Sequence, residues 1–274
     1  MPINILLDPS FRVILCPSVV LLLCNVMRYL LPILLSCLVA SCSTTSFSSR
    51  ESSGGVSLAL DHWGHRPGPH GFQTVIIDAG HGGRDSGAVS RHTGDYEKHL
   101  ALDTAKRLAD KLRGQFRTVF IRTGDSFVDL DDRVALASRQ GGAILVSLHY
   151  NSSPSSQVRG PETYYWRVDS HGLATRIQRG LESVIPARSG NLGLRRRRLR
   201  LTRNPQIPCV LVEFGYLSNA GEARLCAAPG HRDRLASVVA TAIRTQAQLG
   251  DAGTGPKPPP LNQPLSRPTD PPGS

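Results

Sequence analysis

The chain has 274 residues, with 32 Lys+Arg against 21 Asp+Glu for a formal net charge of +11, and 40% of it is hydrophobic. This composition supplies one sizeable core and excludes a wholly disordered or polyelectrolyte protein. Six cysteines are too few for a disulfide scaffold, and no C-x-x-C pair marks a structural zinc knuckle. The basic balance points to a polyanionic partner, with nucleic acid the first candidate and a membrane or cell-wall polymer the second.

Residues 1–41 read as a signal peptide. Met27-Arg28 precedes an apolar run from Leu30 to Val39, and the small residues Ala40-Ser41 follow. That run is shorter than the roughly 20 residues that span a bilayer. Val39-Ala40-Ser41-Cys42 resembles a bacterial lipobox, which implies a lipid on Cys42 and a membrane anchor; an ordinary signal peptide cleaved nearby is the other reading. Met27 is the expected start, because residues 1–26 form a second, Pro-interrupted apolar stretch. Residues 42–70 then make a Ser/Thr/Gly-rich tether. At the far end, residues 251–274 carry eight prolines and are expected to form a disordered or polyproline-like tail.

Between these ends, residues 71–250 alternate strand and helix. Thr74 to Asp78 is a continuous apolar run of the kind buried on both faces of a parallel sheet. A helix from Tyr96 to Arg113 shows Leu100, Ala101, Ala105, Leu108, Ala109 and Leu112 on one face and closes at Gly114. Strands follow at Thr118–Ile121, Ala143–Ser147, Glu162–Trp166 and Cys209–Glu213, with helices at Leu130–Ser138, Leu173–Ile185 and Asp233–Leu249. The pattern predicts a single α/β domain with a mainly parallel twisted sheet flanked by helices.

Candidate chemistry collects at strand ends. The first strand leads to His81, the third to His149 and the last to Glu213. The carboxyl ends of parallel strands share one crevice. Glu97 opens the first helix on the same side. Two histidines and a carboxylate are the donors of many hydrolytic zinc sites, and a further carboxylate is needed to accept and donate a proton. Singly, each has a plainer reading: Glu97 as a helix-dipole residue, His149 as a core histidine, Gly82 and Gly83 as turn residues. Glu213 resists one, because a carboxylate closing an apolar strand is costly to bury unpaired. Together the four favour a site.

Five ordered motifs then carry a resemblance. Ile77–Ala88 (IDAGHGGRDSGA), Glu97 with the Leu100 helix, Thr123-Gly124-Asp125 with Phe127, Leu130 and Arg133, Ser147–Asn151 (SLHYN) and Pro208–Asn219 (PCVLVEFGYLSN) resemble the zinc-dependent N-acetylmuramoyl-L-alanine amidases of the AmiC/CwlV-like group, the amidase type 3 family. The resemblance spans about Gln73 to Leu249. It implies one Zn2+ per chain held by His81, Glu97 and His149, with Glu213 as the catalytic carboxylate. It also implies a cell-envelope, periplasmic enzyme cutting the amide between the muramic-acid lactyl group and L-alanine of peptidoglycan, in wall remodelling or daughter-cell separation. Nucleic acid is then no longer the expected partner.

Ala79 stands where the family commonly has Pro, Ser138 where Asn is frequent, and Tyr150 and Ser152 where small apolar residues are usual. The segment between Asn151 and Pro208 is too short for the blocking helix of some members, which implies an open site; any activator protein is unidentified. A non-catalytic peptidoglycan-binding lipoprotein on the same fold is the rival reading. His62, His65 and His70 sit in a Gly/Pro-rich lead-in and are read as loop residues, and His92, His99, His171 and His231 have no partner spacing that marks a site. Cys209 and Cys226 are expected as unpaired thiols. Arg195 to Arg198, with Arg200 and Arg203, are expected as a solvated loop able to meet stem-peptide carboxylates or anionic lipid. No nucleophile elbow or phosphate-binding loop is present.

Overall fold

A computed structural model describes residues 67–259, 261 and 265–267, with the backbone of residues 5–8 and 11–13. Met27, the apolar run, Cys42, His62 and His65 lie outside the described residues. Ile5–Asp8 (β1) and Phe11–Val13 (β2) pair antiparallel in a unit of their own. Among the described residues no helix is long and apolar enough to cross a membrane.

The remaining unit holds a six-stranded sheet of Thr74–Ala79 (β3), Arg117–Phe120 (β4), Ala143–Asn151 (β5), Glu162–Tyr165 (β6), Gly193–Arg196 (β7) and Cys209–Tyr216 (β8), in the order β4-β3-β5-β8-β6-β7. β4, β3, β5 and β8 are mutually parallel; β6 runs antiparallel to β8, and β7 follows β6. The helices are Glu97–Leu112 (α1), Leu130–Ser138 (α2), His171–Val184 (α3), Arg200–Arg203 (α4), Ala220–Ala227 (α5) and Pro229–Leu249 (α6). The mixed α/β domain expected from the alternation is present. β5 and β8 run past their expected ends, and β7, α4 and α5 join the expected elements.

Strand alternation divides the core in two. Val75, Ile77, Ile144, Val146, Leu148, Val210 and Val212 face the long helices α1, α3 and α6 in the larger cluster. Ile76, Leu145 and Cys209 face the other way, against Ala137 of α2 and Leu201 of α4. That second layer is thin, because α2 has nine residues and α4 four. It leaves the carboxyl-terminal part of the sheet face open.

Two parts of the sequence reading need correction or addition. The arginine run is not a solvated loop: it forms edge strand β7 and helix α4, with Arg200 and Arg203 buried and Arg200 paired to Asp131. Within the Pro-rich tail, Asp251 accepts from the Gly68 N–H at 2.9 Å and lies 2.9 Å from Lys257, and Asn204 and Ser266 exchange two hydrogen bonds of 2.9 Å. Cys209 and Cys226 are buried free thiols.

At the open face, the turn after β3 is held by side chains. Buried Asp78 pairs with Arg133 of α2 at 2.5 Å and accepts from Ser147 Oγ. Arg133 also donates to the carbonyls of Ala79 (2.9 Å), His81 (2.6 Å) and Val128 (3.0 Å). Arg122 donates to Ala79 (2.9 Å), Gly80 (2.7 Å) and Lys98 (2.8 Å). Removing one partner of a buried ion pair leaves an uncompensated charge, so Arg133→Ala is expected to cost about 3–5 kcal/mol in urea unfolding. Adding Asp78→Asn should recover part of that loss; an Arg133→Ala effect below 1 kcal/mol would contradict the analysis.

Candidate active site

The turn beyond β3 carries His81 with φ 60°, the left-handed region that costs an L-residue roughly 1–2 kcal/mol. The bond from Arg133 to its carbonyl keeps it there. His81 Nδ1 lies 2.8 Å from Asp85 Oδ2, and its Nε2 lies 3.0 Å from Glu97 Oε1. His149, in β5, brings Nδ1 to 2.9 Å from the same Glu97 oxygen. Glu97 Oε1 also accepts from the Tyr150 N–H (3.0 Å), and its Oε2 from the Ala88 N–H (2.8 Å). One donor atom from each of His81, Glu97 and His149 lies within 4.8 Å of the others. Thus Glu97, although in the first turn of α1, is spent on the cluster rather than on a cap.

Close packing forces two glycines here. A Cβ on Gly80 would sit 2.3 Å from His149 Cε1, and one on Gly87 would sit 2.5 Å from Glu97 Oε2. The side chains stay reachable from solvent, with 24% of His81 and 14% of His149 exposed.

Glu213 lies opposite His149 in the β5–β8 register and opposite Glu162 in the β8–β6 register. Beyond it the pairing shifts from His149↔Glu213 to Asn151↔Tyr216, which leaves one extra residue in β8. Such a bulge re-aims the side chains beside it. Glu222 secures it, accepting from the Tyr216 N–H at 2.7 Å and the Gly160 N–H at 3.0 Å. Glu213 is buried, and its Oε2 accepts no hydrogen bond from the described residues. An orphaned carboxylate oxygen next to two histidines and a second carboxylate is what a site built to hold a cation and a polar substrate presents.

The electrostatics separate the carboxylates. Burial pushes Glu213 well above the usual carboxylate range; the nearby charges of Glu97 and Glu162 add to this and Arg197 opposes it. Burial acts in the same sense on Glu97, but bonds to His149 and His81 outweigh it and hold Glu97 low. Burial would lower His81, yet Glu97 and Asp85 leave it raised. Two carboxyls pushed apart in this way suit an anionic donor and a proton-accepting base.

The structure therefore brings together all four residues singled out in the sequence. His62 and His65 lie outside the described residues, and His92, His99, His171 and His231 are apart from the cluster. Asp85, Glu162 and Glu222 were not singled out. The first follows His81 by one helical-turn interval in a Gly-rich motif. Glu162 opens a buried strand, the same signal that marked Glu213.

Gly80→Ala is expected to shift the His149 ring, costing about 1–3 kcal/mol of stability as overpacking and lowering hydrolytic rate. Gly141→Ala, where nothing lies within 4 Å of the added Cβ, serves as the silent control in unfolding and rate measurements. Equal behaviour of the two variants would refute the packing argument.

The sheet and its flanking helices make a mixed α/β domain of the kind found in amidase catalytic domains. Residues 75–245 match the Amidase_3 family model, N-acetylmuramoyl-L-alanine amidase, and the chain belongs to that family of peptidoglycan amidases. It is 34% identical over 194 residues to YqiI of Bacillus subtilis, covering 69% of this chain and 92% of that protein. It is 34% identical over 173 residues to the N-acetylmuramoyl-L-alanine amidase LytC of Bacillus subtilis, covering 61% of this chain but only 34% of LytC. Among solved structures, the catalytic domain of CwlV, an N-acetylmuramoyl-L-alanine amidase from Bacillus (Paenibacillus) polymyxa var. colistinus, superposes with a TM-score of 0.60 at 35% identity, covering 64% of this chain and 97% of CwlV.

Proposed function

We propose that this chain is a zinc-dependent amidase that hydrolyses the bond between the lactyl group of N-acetylmuramic acid and the L-alanine of peptidoglycan stem peptides. The observation that carries this reading is the convergence of His81, Glu97 and His149 beside the orphaned Glu213 in a member of this family. One zinc ion per chain would be held by the three donors. When bound, zinc supplies Lewis-acid polarisation of an amide carbonyl and makes water more acidic.

The chain's own residues do the rest. Asp85 takes the Nδ1 proton of His81 as a hydrogen bond and so leaves Nε2 as the donor atom facing Glu97. Glu213 sits in a water-poor strand where burial raises its proton affinity. It is suited to take a proton from the attacking water and deliver it to the departing alanine amine. The groove beside it gives the peptide a place to lie.

In this reading residues 1–41 are a signal peptide, Cys42 is the lipidated N-terminus, residues 42–70 are a tether and residues 71–250 are the catalytic domain. The enzyme then works in the cell envelope, in wall remodelling or daughter-cell separation. Labelling of cells with a fatty-acid analogue should mark the protein and fail to mark the Cys42→Ser variant; equal labelling would remove the anchor from the proposal.

Purified peptidoglycan incubated with the protein should release free stem peptides, identified by mass. Release should stop with a chelator and return with zinc. Glu213→Gln is expected to lower the rate about 10²–10⁴-fold while zinc content is kept. Cuts within the glycan or within the peptide would overturn the reaction, and wall binding without any release would favour the non-catalytic reading.

A further inference from the structure

Beside Glu213 on the open sheet face lies a groove of about 760 Å3, within the size range that holds small ligands. Its floor and wall include Asn151, Glu162, Tyr164, Arg195, Arg197 and Tyr216. Alternation along β7 sorts the arginine run. Arg196 borders the groove, but its guanidinium is engaged elsewhere, donating to the Trp166 carbonyl at 2.9 Å and to the Pro259 carbonyl and lying over the Trp166 ring. Arg195 turns toward Glu162, 2.9 Å from its Oε2, and Arg197 donates to the Tyr164 hydroxyl at 3.3 Å and lies over that ring.

The charges do not cancel. Among the described residues Glu162 is the single carboxylate in the groove lining, and it already accepts from Asn151 Nδ2 at 3.0 Å and from the Tyr216 hydroxyl. Arg195 Nε lies 2.9 Å from Glu162 Oε2, so Glu162 is already held by three partners. Half of the Arg195 side chain is exposed to the groove mouth. A positively charged wall with planar, forked donors fits a carboxylate better than it fits a cationic or neutral group.

Distance sets which carboxylate. β8, β6 and β7 are consecutive strands of the sheet, and Gly193 is the β7 residue in line with Glu213 through Glu162, so at about 4.8 Å per strand and about 3.3 Å per residue the backbone of Arg195 lies roughly 12 Å, and that of Arg197 roughly 17 Å, from that of Glu213. An extended peptide covers the span to Arg195 in about three to four residues, and the Arg197 side chain turns back toward it, its guanidinium over the Tyr164 ring. We propose, resting on the amidase reading above, that Arg195 and Arg197 form a recognition site for a free carboxylate on the second or third residue of the stem peptide. The enzyme then selects stems whose acidic groups are unmodified over stems in which they are carboxamides.

The test uses the full-length, zinc-loaded protein and four soluble muramoyl tripeptides, with the carboxyl group of residue two and the side-chain carboxyl group of residue three each free or amidated. The wild-type kcat/KM is expected to be about 10–100-fold higher for the free acid at one of the two positions, the range of one charge-assisted contact. The position that matters identifies the contacted residue. Because Arg195 also holds Glu162, absolute rates will change in its variants, and the free-to-amidated ratio is the informative quantity. Arg195→Ala and Arg197→Ala should bring that ratio toward one, whereas Arg195→Lys should keep part of it. Cleavage of all four substrates with equal kcat/KM, or a preference unchanged in both alanine variants, would overturn the recognition site while leaving the amidase reading intact. No cleavage of any substrate would overturn that reading and this inference with it.

Discussion

Two guanidinium groups hold the site together. Arg122 lies just after β4 and Arg133 in α2, and both donate into the carbonyls of the turn from Ala79 to His81. Carbonyls that leave a parallel strand have no sheet partner, and burying them without donors carries the penalty of an unmade hydrogen bond. The arginines supply those donors, and Asp78 neutralises one of them. With the turn fixed, a left-handed histidine becomes tolerable. His81 then points its Nε2 at Glu97 because Asp85 holds the other nitrogen.

The second constraint is the unequal covering of the sheet. Three long helices seal one face, and two short ones only begin to cover the other. Every chemical residue that comes from a strand uses the thin side. His149, Glu213 and Glu162 follow in register from β5 to β6, with Tyr164 two positions further along β6, so the candidate site and the arginine-lined groove share one face of the sheet. Stability and reactivity are thereby assigned to opposite faces. Apolar residues such as Leu148 and Val212 are buried on the helix side, one position from His149 and Glu213.

Much of this was legible in the sequence. Strands buried on both faces read as unbroken apolar runs, so β3, β5 and β8 were placed to within a few residues, and their carboxyl ends located His81, His149 and Glu213. Strand direction was not legible: nothing in Glu162-Thr163-Tyr164-Tyr165 distinguishes a parallel strand from the antiparallel one observed. Glu162 was therefore not brought to the same edge. The arginine run misled for a related reason. Charge density suggests solvent, but Arg200 meets Asp131 from an element 69 residues away, and no local pattern encodes that partner. Asp85 sat in plain view in its motif, yet its role depends on the tautomer of a histidine whose orientation only the fold decides.

The reversal of β6 constrains the connections unequally. In the parallel strands the reactive side chain comes at the end, and whatever follows can lengthen at the rim. Glu162 instead comes first in its strand, directly after the segment leaving β5, so each residue added or removed there bears on where that carboxylate sits relative to Glu213. The connection from α3 to β7, by contrast, enters its strand at Gly193, two positions before Arg195, and reaches only the groove. Natural variation in loop length should therefore be scarcer before residue 162 than after residue 184.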